Sequence, residues 1–198
     1  MNRSIAFFDF DGTITTRDTF LEIIKFQKGK LAFYSGFTLL SPWLICMKLG
    51  IISNTSAKEK VLTYFFGKTP LKEFQIKCDA FISQKLPQLI RPQANETILK
   101  HKEQGIQIVV VSASPENWLK GWCVKNGLDL ISSRLEVKNE LLTGKLEGKN
   151  CHGEEKVIRI REKYELTNFT SIYCYGDTKG DKPMLELATF AYYKPFRS

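Results

Sequence analysis

The sequence predicts an α/β fold: a mostly parallel sheet flanked by helices, with a helical insert after the first strand and a later β-hairpin. Three observations carry this reading. Short apolar runs recur at residues 4–9, 106–112, 171–177 and, more weakly, 190–193. Runs without polar alternation belong to strands buried on both faces. Each run stands next to a helical signal, and that alternation builds a parallel sheet covered on both sides. Between residues 15 and 88 the rhythm stops and the pattern is almost wholly helical.

The first strand, residues 4–9, runs into acidic turn residues. In the insert, residues 31–47 carry no charge and lie between Lys30 and Lys48. A straight helix of that length spans roughly 25 Å, short of a hydrocarbon core of about 30 Å. Pro42 is expected to bend or break it. Two readings stay open for this segment: a buried helical hairpin bent near Pro42, or a surface that dips into a membrane interface. Ser56 and Glu59 have capping-box spacing, and Gly67 stops that helix. Thr69-Pro70 starts the next, and Pro87 limits it.

After the insert, residues 93–104 read as a helix stopped by Gly105. Ser114 reads as an N-cap with Pro115 at the first helical position, opening a helix that runs to Gly127. Residues 135–146 alternate around Asn139-Glu140 and Thr143-Gly144, as a hairpin does. Residues 154–164 form a basic helix and residues 182–188 a shorter one. The expected division is a core of residues 1–14 and 89–198 and a cap of residues 15–88.

Composition narrows the class. The chain has 198 residues, 43% hydrophobic and 25% charged, which suits a folded domain and excludes a disordered one. Its net charge of +8 favours an anionic partner: nucleic acid, an acidic membrane surface or a phosphorylated substrate. The five cysteines are scattered with no C-x-x-C pair, so neither a zinc ribbon nor a disulfide framework is indicated. A reducing, cytoplasmic compartment is expected, at the inner face of the cell membrane if the apolar segment docks there. The apolar start is too short for a secretory signal. Gly67-Lys68-Thr69 resembles the end of a P-loop, but Leu62 stands where the earlier glycine is required. Trp118 and Trp122, at helical spacing, read as core packing and not as a base-stacking platform, so nucleic acid is not an expected partner. Cys151 reads as structural. His101 and His152 read as surface residues, with His152 close enough to Lys156 to be a substrate-contact candidate.

The chemistry gathers at strand ends, where open α/β sheets bind ligands. Asp9 and Asp11 follow the first strand, Ser112 ends the second, and Asp177 ends the third with Asp181 just after it. Lys156 opens the helix before that third strand. Carboxylates packed this closely repel unless a cation sits among them. With no Cys or His cluster, all-oxygen ligation points to Mg²⁺. A carboxylate can be the nucleophile and form an aspartyl-phosphate. Gly12 allows a tight turn that brings backbone amides to the phosphate.

Asp9-Phe10-Asp11-Gly12-Thr13, Ser112 after its valine strand, Lys156 and Gly176-Asp177-Thr178-Lys179-Gly180-Asp181 resemble the four motifs of the haloacid dehalogenase-like (HAD) hydrolase superfamily. The resemblance implies a Rossmann-like core with a helical C1-type cap. It implies Asp9 as nucleophile, Asp11 as general acid and base, and Ser112 and Lys156 as catalytic phosphate-site residues. Mg²⁺ would be held by Asp9, the Asp11 carbonyl and Asp177, with Asp181 a further ligand or a support behind them. Phe10, Gly12, Thr13, Asp18, Ala113 and Ser114 are the phosphate and substrate contacts it suggests. Asp11 favours phosphate chemistry, because the dehalogenases of the superfamily lack that second aspartate.

The helical insert resembles the subfamily I cap of the phosphoserine phosphatases, and Asp18-Thr19-Phe20, residues 151–157, Pro183-Met184-Leu185 and Lys194-Pro195-Phe196 are similar to subfamily IB, which contains the C-type phosphatidylglycerophosphate phosphatases. Two departures point away from phosphoserine: Asp18 stands where the phosphoserine phosphatases have Glu, and Gly180 where they have Asn. Three functions remain: a phosphatase for a lipid phosphate, with peripheral association to an anionic membrane; a soluble phosphatase for a small metabolite; and a HAD-fold protein kept only for binding.

Overall fold

The structure is a computed structural model and describes residues 3–197. Five strands form one parallel sheet in the order β3-β2-β1-β6-β7: β1 Ser4–Phe8, β2 Gln107–Pro115, β3 Asp129–Ser133, β6 Ser171–Gly176 and β7 Phe190–Tyr193. Side chains alternate across this sheet and both faces are buried. Ala6, Phe8, Ile108 and Val110 enter one core, while Ile5, Phe7, Val109 and Val111 enter the other. That is why the central strands read as unbroken apolar runs. The edge strand β3 had no such signature: only Leu130 and Ile131 are apolar between Asp129 and two serines.

Helices α4 (Pro92–Glu103), α5 (Lys120–Lys125), α6 (Glu154–Lys163) and the short α7 (Lys182–Leu185) join the strands. Gly105 and Gly127 follow α4 and α5 with φ of 69° and 62°, the left-handed conformation in which glycine ends helices. The hairpin of β4 (Leu135–Lys138) and β5 (Leu141–Leu146) turns at Asn139-Glu140, both with positive φ, as a two-residue turn requires.

The insert is α1 (Thr19–Lys48), α2 (Asn54–Phe66) and α3 (Leu71–Gln84). The hairpin is bound to it. Lys68 and Leu71 donate their amides to the carbonyls of Leu142 and Glu140, and Gly144 lies against the backbone of Thr63. The cap is therefore clamped onto the core side of the chain at its α2–α3 junction.

Three local expectations are corrected. The break in α1 falls at Gly29, where φ is 81° and ψ 163°, and Pro42 lies inside a continuing helix. Glycine adopts that backbone freely, whereas Pro42 is accommodated at the exposed surface. The cap of α2 is Ser53, whose hydroxyl accepts from the Ser56 amide, so the capping-box reading at Ser56 is one turn late. Ser114 and Pro115 lie in β2, and the helix begins only at Lys120, after a short turn at Glu116–Trp118.

Candidate active site

β1 delivers Asp9 to the carboxyl edge of the sheet, where its amide donates to the Tyr175 carbonyl at 2.8 Å. The chain then turns back over residues 10–14. Gly12 holds φ of 86°, and a Cβ there would lie 2.5 Å from Asp177 Oδ2. Only glycine fits that turn without displacing Asp177.

Lys156, on the first turn of α6, is buried at the centre. Its ammonium lies 2.7 Å from Asp9 Oδ1, 2.7 Å from Asp181 Oδ1 and 3.0 Å from the Val111 carbonyl. The other Asp181 oxygen accepts from the amides of Asp177 and Thr178 and from the Thr178 hydroxyl. Thr13 donates to Asp177 Oδ1 at 3.3 Å, and Arg197 pairs with Asp177 Oδ2. Carboxylate oxygens of Asp9, Asp177 and Asp181 all fall within 4.8 Å of one another. Three buried carboxylates with no sulfur or imidazole among them form a donor set suited to a hard divalent cation.

Asp11 faces a different set of partners. Its Oδ1 accepts from the Thr19 amide and hydroxyl, both at 2.6 Å, and its Oδ2 from the Ser114 hydroxyl at 2.6 Å and, more weakly, the Ser112 hydroxyl at 3.4 Å. Trp118 Nε1 donates to Thr19 Oγ1 at 3.1 Å, anchoring this chain of contacts in the core. The Asp11 carboxylate is thus aimed at the cavity edge and away from the three-carboxylate cluster. Only its carbonyl is left for the metal role that the family resemblance implies.

Burial pushes the Asp9 carboxyl up to about 7, against the pull of the Lys156 ammonium. Burial also works against the charge on Lys156, but Asp9 and Asp181 overcome it and hold the ammonium above its ordinary value. Asp181 suffers burial too, yet Lys156 brings it below the usual carboxylate range. Asp177 is raised by burial and by the neighbouring Asp181. Negative charge is therefore expensive here, and Lys156 outweighs that cost only at Asp181.

A cavity of about 550 Å³ opens over Asp9, Asp11 and Lys156. Asp18, Ala113, Ser114 and His152 line it, as do Phe20, Leu21, Phe37, Leu44, Met47 and Val61 from the cap. Asp18 also caps α1, accepting from the amides of Phe20 and Leu21, and burial beside Asp11 raises it to about 6. Phe10 is not at the cavity: its ring packs edge-on against Trp122 in the core. His101 is buried, not exposed, with Nε2 2.8 Å from the Tyr175 hydroxyl. His152 rests its ring on Gly180, where a Cβ would lie 2.3 Å from Nε2. Trp118, Trp122 and Cys151 are core residues as expected.

Two contributors were not read from the sequence. Lys58 reaches from α2 to the Ala113 carbonyl and to Asn150 Oδ1 at 3.1 Å, and burial lowers it to about 8. Its only sequence signal is a cation on the apolar face of α2. Arg197 meets Asp177 through tertiary structure alone, and no local pattern announces it.

Comparisons with known proteins bear on the family and the fold. Over 192 residues the chain is 32% identical to Protein CicA of Caulobacter vibrioides, covering 96% of this chain and 85% of that protein. A Bordetella pertussis protein of unknown function superposes with a TM-score of 0.81 at 21% identity, covering 96% and 88% of the two chains. A phosphoserine phosphatase solved as a phospho-aspartyl intermediate analogue superposes with a TM-score of 0.68 at 20% identity, covering 95% and 84%. Both structures share the fold. Residues 6–186, which hold every carboxylate of the cluster together with Lys156, match the family model for haloacid dehalogenase-like hydrolases, and the chain belongs to that family.

Proposed function

We propose that this chain is a Mg²⁺-dependent phosphatase for phosphate monoesters, working through an aspartyl-phosphate on Asp9. The observation that carries the reading is the single buried ammonium of Lys156 shared by Asp9 and Asp181, with Asp177 beside them. Phosphoryl transfer needs positioning and charge neutralisation more than it needs covalent chemistry from the protein. Asp9, Asp177, Asp181 and the Asp11 carbonyl would hold Mg²⁺, which supplies positive charge for the phosphate oxygens. An Asp9 oxygen attacks phosphorus while the bond to the leaving alcohol breaks, and Asp11 gives that alcohol its proton. Water then attacks the aspartyl-phosphate, Asp11 takes a proton from it, and inorganic phosphate leaves with Asp9 regenerated. Ser114 and Thr19 keep Asp11 aimed for both proton transfers.

The leaving group that suits the cavity is largely apolar. Phe37, Leu44 and Met47 of α1 and Val61 of α2 form its outer wall. A lipid phosphate such as phosphatidylglycerophosphate presents the monoester to Asp9 and apolar chain to that wall, at the inner face of the membrane. A small-metabolite substrate is the second reading. Asp18 and Lys58, of opposite charge on the same wall, are placed to meet an amine and a carboxylate. The intact catalytic set argues against a purely binding role.

The test is a phosphate-release screen with Mg²⁺ comparing phosphatidylglycerophosphate, phosphoserine and sugar phosphates, with Asp9→Asn as control. The lipid monoester is expected to turn over best. Release by Asp9→Asn at the parent rate would sink the mechanism. A preference for phosphoserine would select the second reading.

A further inference from the structure

The distal half of α1 is uncharged and mostly apolar, and its exposed Ser35 and Thr38 hydroxyls bond back to the helix's own carbonyls at Ala32 and Tyr34, yet half of it has no protein against it. Phe33, Gly36 and Leu40 face inward, where Gly36 sits so close to Phe65 that a Cβ would lie 2.5 Å from the ring. The opposite side carries Leu31, Leu39 and Trp43, exposed by 85%, 65% and 47%, and the following turn adds Leu49 and Ile51 at 70% and 68%. A contiguous exposed apolar face marks an interaction surface.

Charge identifies the partner. Between Glu22 and Glu59 the sequence has no aspartate or glutamate, and of its five lysines only Lys58 is buried in the site. Lys30 and Lys48 flank the exposed face, and Lys60 Nζ lies 4.7 Å over the Trp43 ring. Apolar residues with an indole at their border and lysines at the rim match the layering of a bilayer surface, acyl chain below and anionic headgroup above. No helix among the described residues is long and apolar enough to cross a membrane.

We propose that the outer face of α1, with the turn at Leu49 and Ile51, docks this chain onto an anionic lipid bilayer. The same helix has its inner residues Phe37, Leu44 and Met47 in the cavity wall. Docking therefore places the cavity mouth next to the lipid surface and offers the cavity to a phosphate carried by a membrane lipid. This deepens the lipid-phosphate reading and rests on it for its purpose, though the docking itself is tested independently.

The experiment uses the full chain and vesicles of phosphatidylcholine with or without phosphatidylglycerol. Co-sedimentation is expected with the anionic vesicles and to weaken with salt. Trp118 and Trp122 are buried, so Trp43 reports insertion, and its emission is expected to shift to the blue on binding. Leu39→Glu with Trp43→Glu is expected to weaken binding by at least about ten-fold while leaving p-nitrophenyl phosphate turnover without vesicles unchanged. Absence of binding, or binding equal in that double variant, overturns the proposal. So does a dimer in sedimentation equilibrium that the same substitutions dissolve, because a second copy would then cover the face. Vesicle binding without any p-nitrophenyl phosphate turnover would leave docking standing and remove the phosphatase reading.

Discussion

The ammonium of Lys156 lies 2.7 Å from Oδ1 of Asp9, and both side chains are buried. The same ammonium lies 2.7 Å from Asp181, so one cation serves two carboxylates. Removing it strands both. Lys156→Met is expected to lose about 3–5 kcal/mol of stability, the cost of breaking a buried pair from one side, and to lower phosphate release at least about a hundred-fold. Denaturant midpoints and an aryl-phosphate assay check both. Added Mg²⁺ is expected to recover part of the lost stability, because it restores positive charge beside Asp9 and Asp181. An unchanged midpoint would mean that the carboxylates are not held by Lys156.

Gly12 and Gly148 separate two effects of a missing side chain. Both have positive φ, 86° and 73°, but a Cβ on Gly12 would strike Asp177 whereas one on Gly148 meets nothing within 4 Å. Each alanine substitution is expected to cost about 1–2 kcal/mol from backbone conformation. Only Gly12→Ala is expected to weaken Mg²⁺ binding, by at least about ten-fold, as measured by titration calorimetry with Gly148→Ala as reference. Equal Mg²⁺ affinity in the two variants would show that Asp177 can move aside.

Much of the site was legible because strand ends and motifs are local. Asp9, Ser112 and Asp177 follow runs whose apolar character is set by burial on both sheet faces, and that pattern survives in sequence. β3 was illegible because an edge strand with Leu130-Ile131 between polar residues buries too little to show a pattern. Ser114 was misread as a helix cap because Ser-Pro carries that signal locally, while its hydroxyl is used by Asp11, 103 positions away. His101 looked like a surface residue of a basic helix end until Tyr175 supplied a buried partner. Lys58 and Arg197 reach the site from the cap and from the segment after β7, and such encounters have no local signal.

Lys58 gives the chain a pH-dependent element. In the folded state burial brings it to about 8, from the ordinary lysine value of 10.5. Between those values the unfolded chain binds the proton and the folded chain does not. Stability from this group is therefore greatest above the unfolded value, falls as pH drops toward 8 and is flat below it. The span corresponds to about 3 kcal/mol. Lys58→Met is expected to remove this component, so that the difference in stability between parent and variant changes between pH 8 and pH 10 in favour of the parent as pH rises. Urea denaturation across that range checks it, and parallel pH profiles would show that Lys58 holds its proton throughout.

Arg197 sets a competition at Asp177. Its guanidinium pairs with Asp177 Oδ2, one of the oxygens available to a divalent cation. The segment carrying it is tied down: Lys194 donates its amide to the Gly176 carbonyl at 2.7 Å, and Arg91 donates to the Phe196 carbonyl at 3.3 Å. The Phe196 ring also stacks on Tyr175. A cation must therefore displace or share with a guanidinium that is already delivered to the site. Because the Arg197 side chain is 42% exposed, solvent weakens the pair, and its worth is about 1 kcal/mol at most. Arg197→Ala is expected to tighten Mg²⁺ binding by roughly three- to five-fold, and Arg197→Lys to keep most of the competition. Calorimetric Kd values for the three proteins check this. The gap between parent and Arg197→Ala is expected to narrow as ionic strength rises, since screening weakens the guanidinium before it weakens a buried cation. Equal affinities at low salt would mean that Arg197 swings clear when the cation arrives, and weaker affinity in Arg197→Ala would mean that it holds Asp177 in place for the metal.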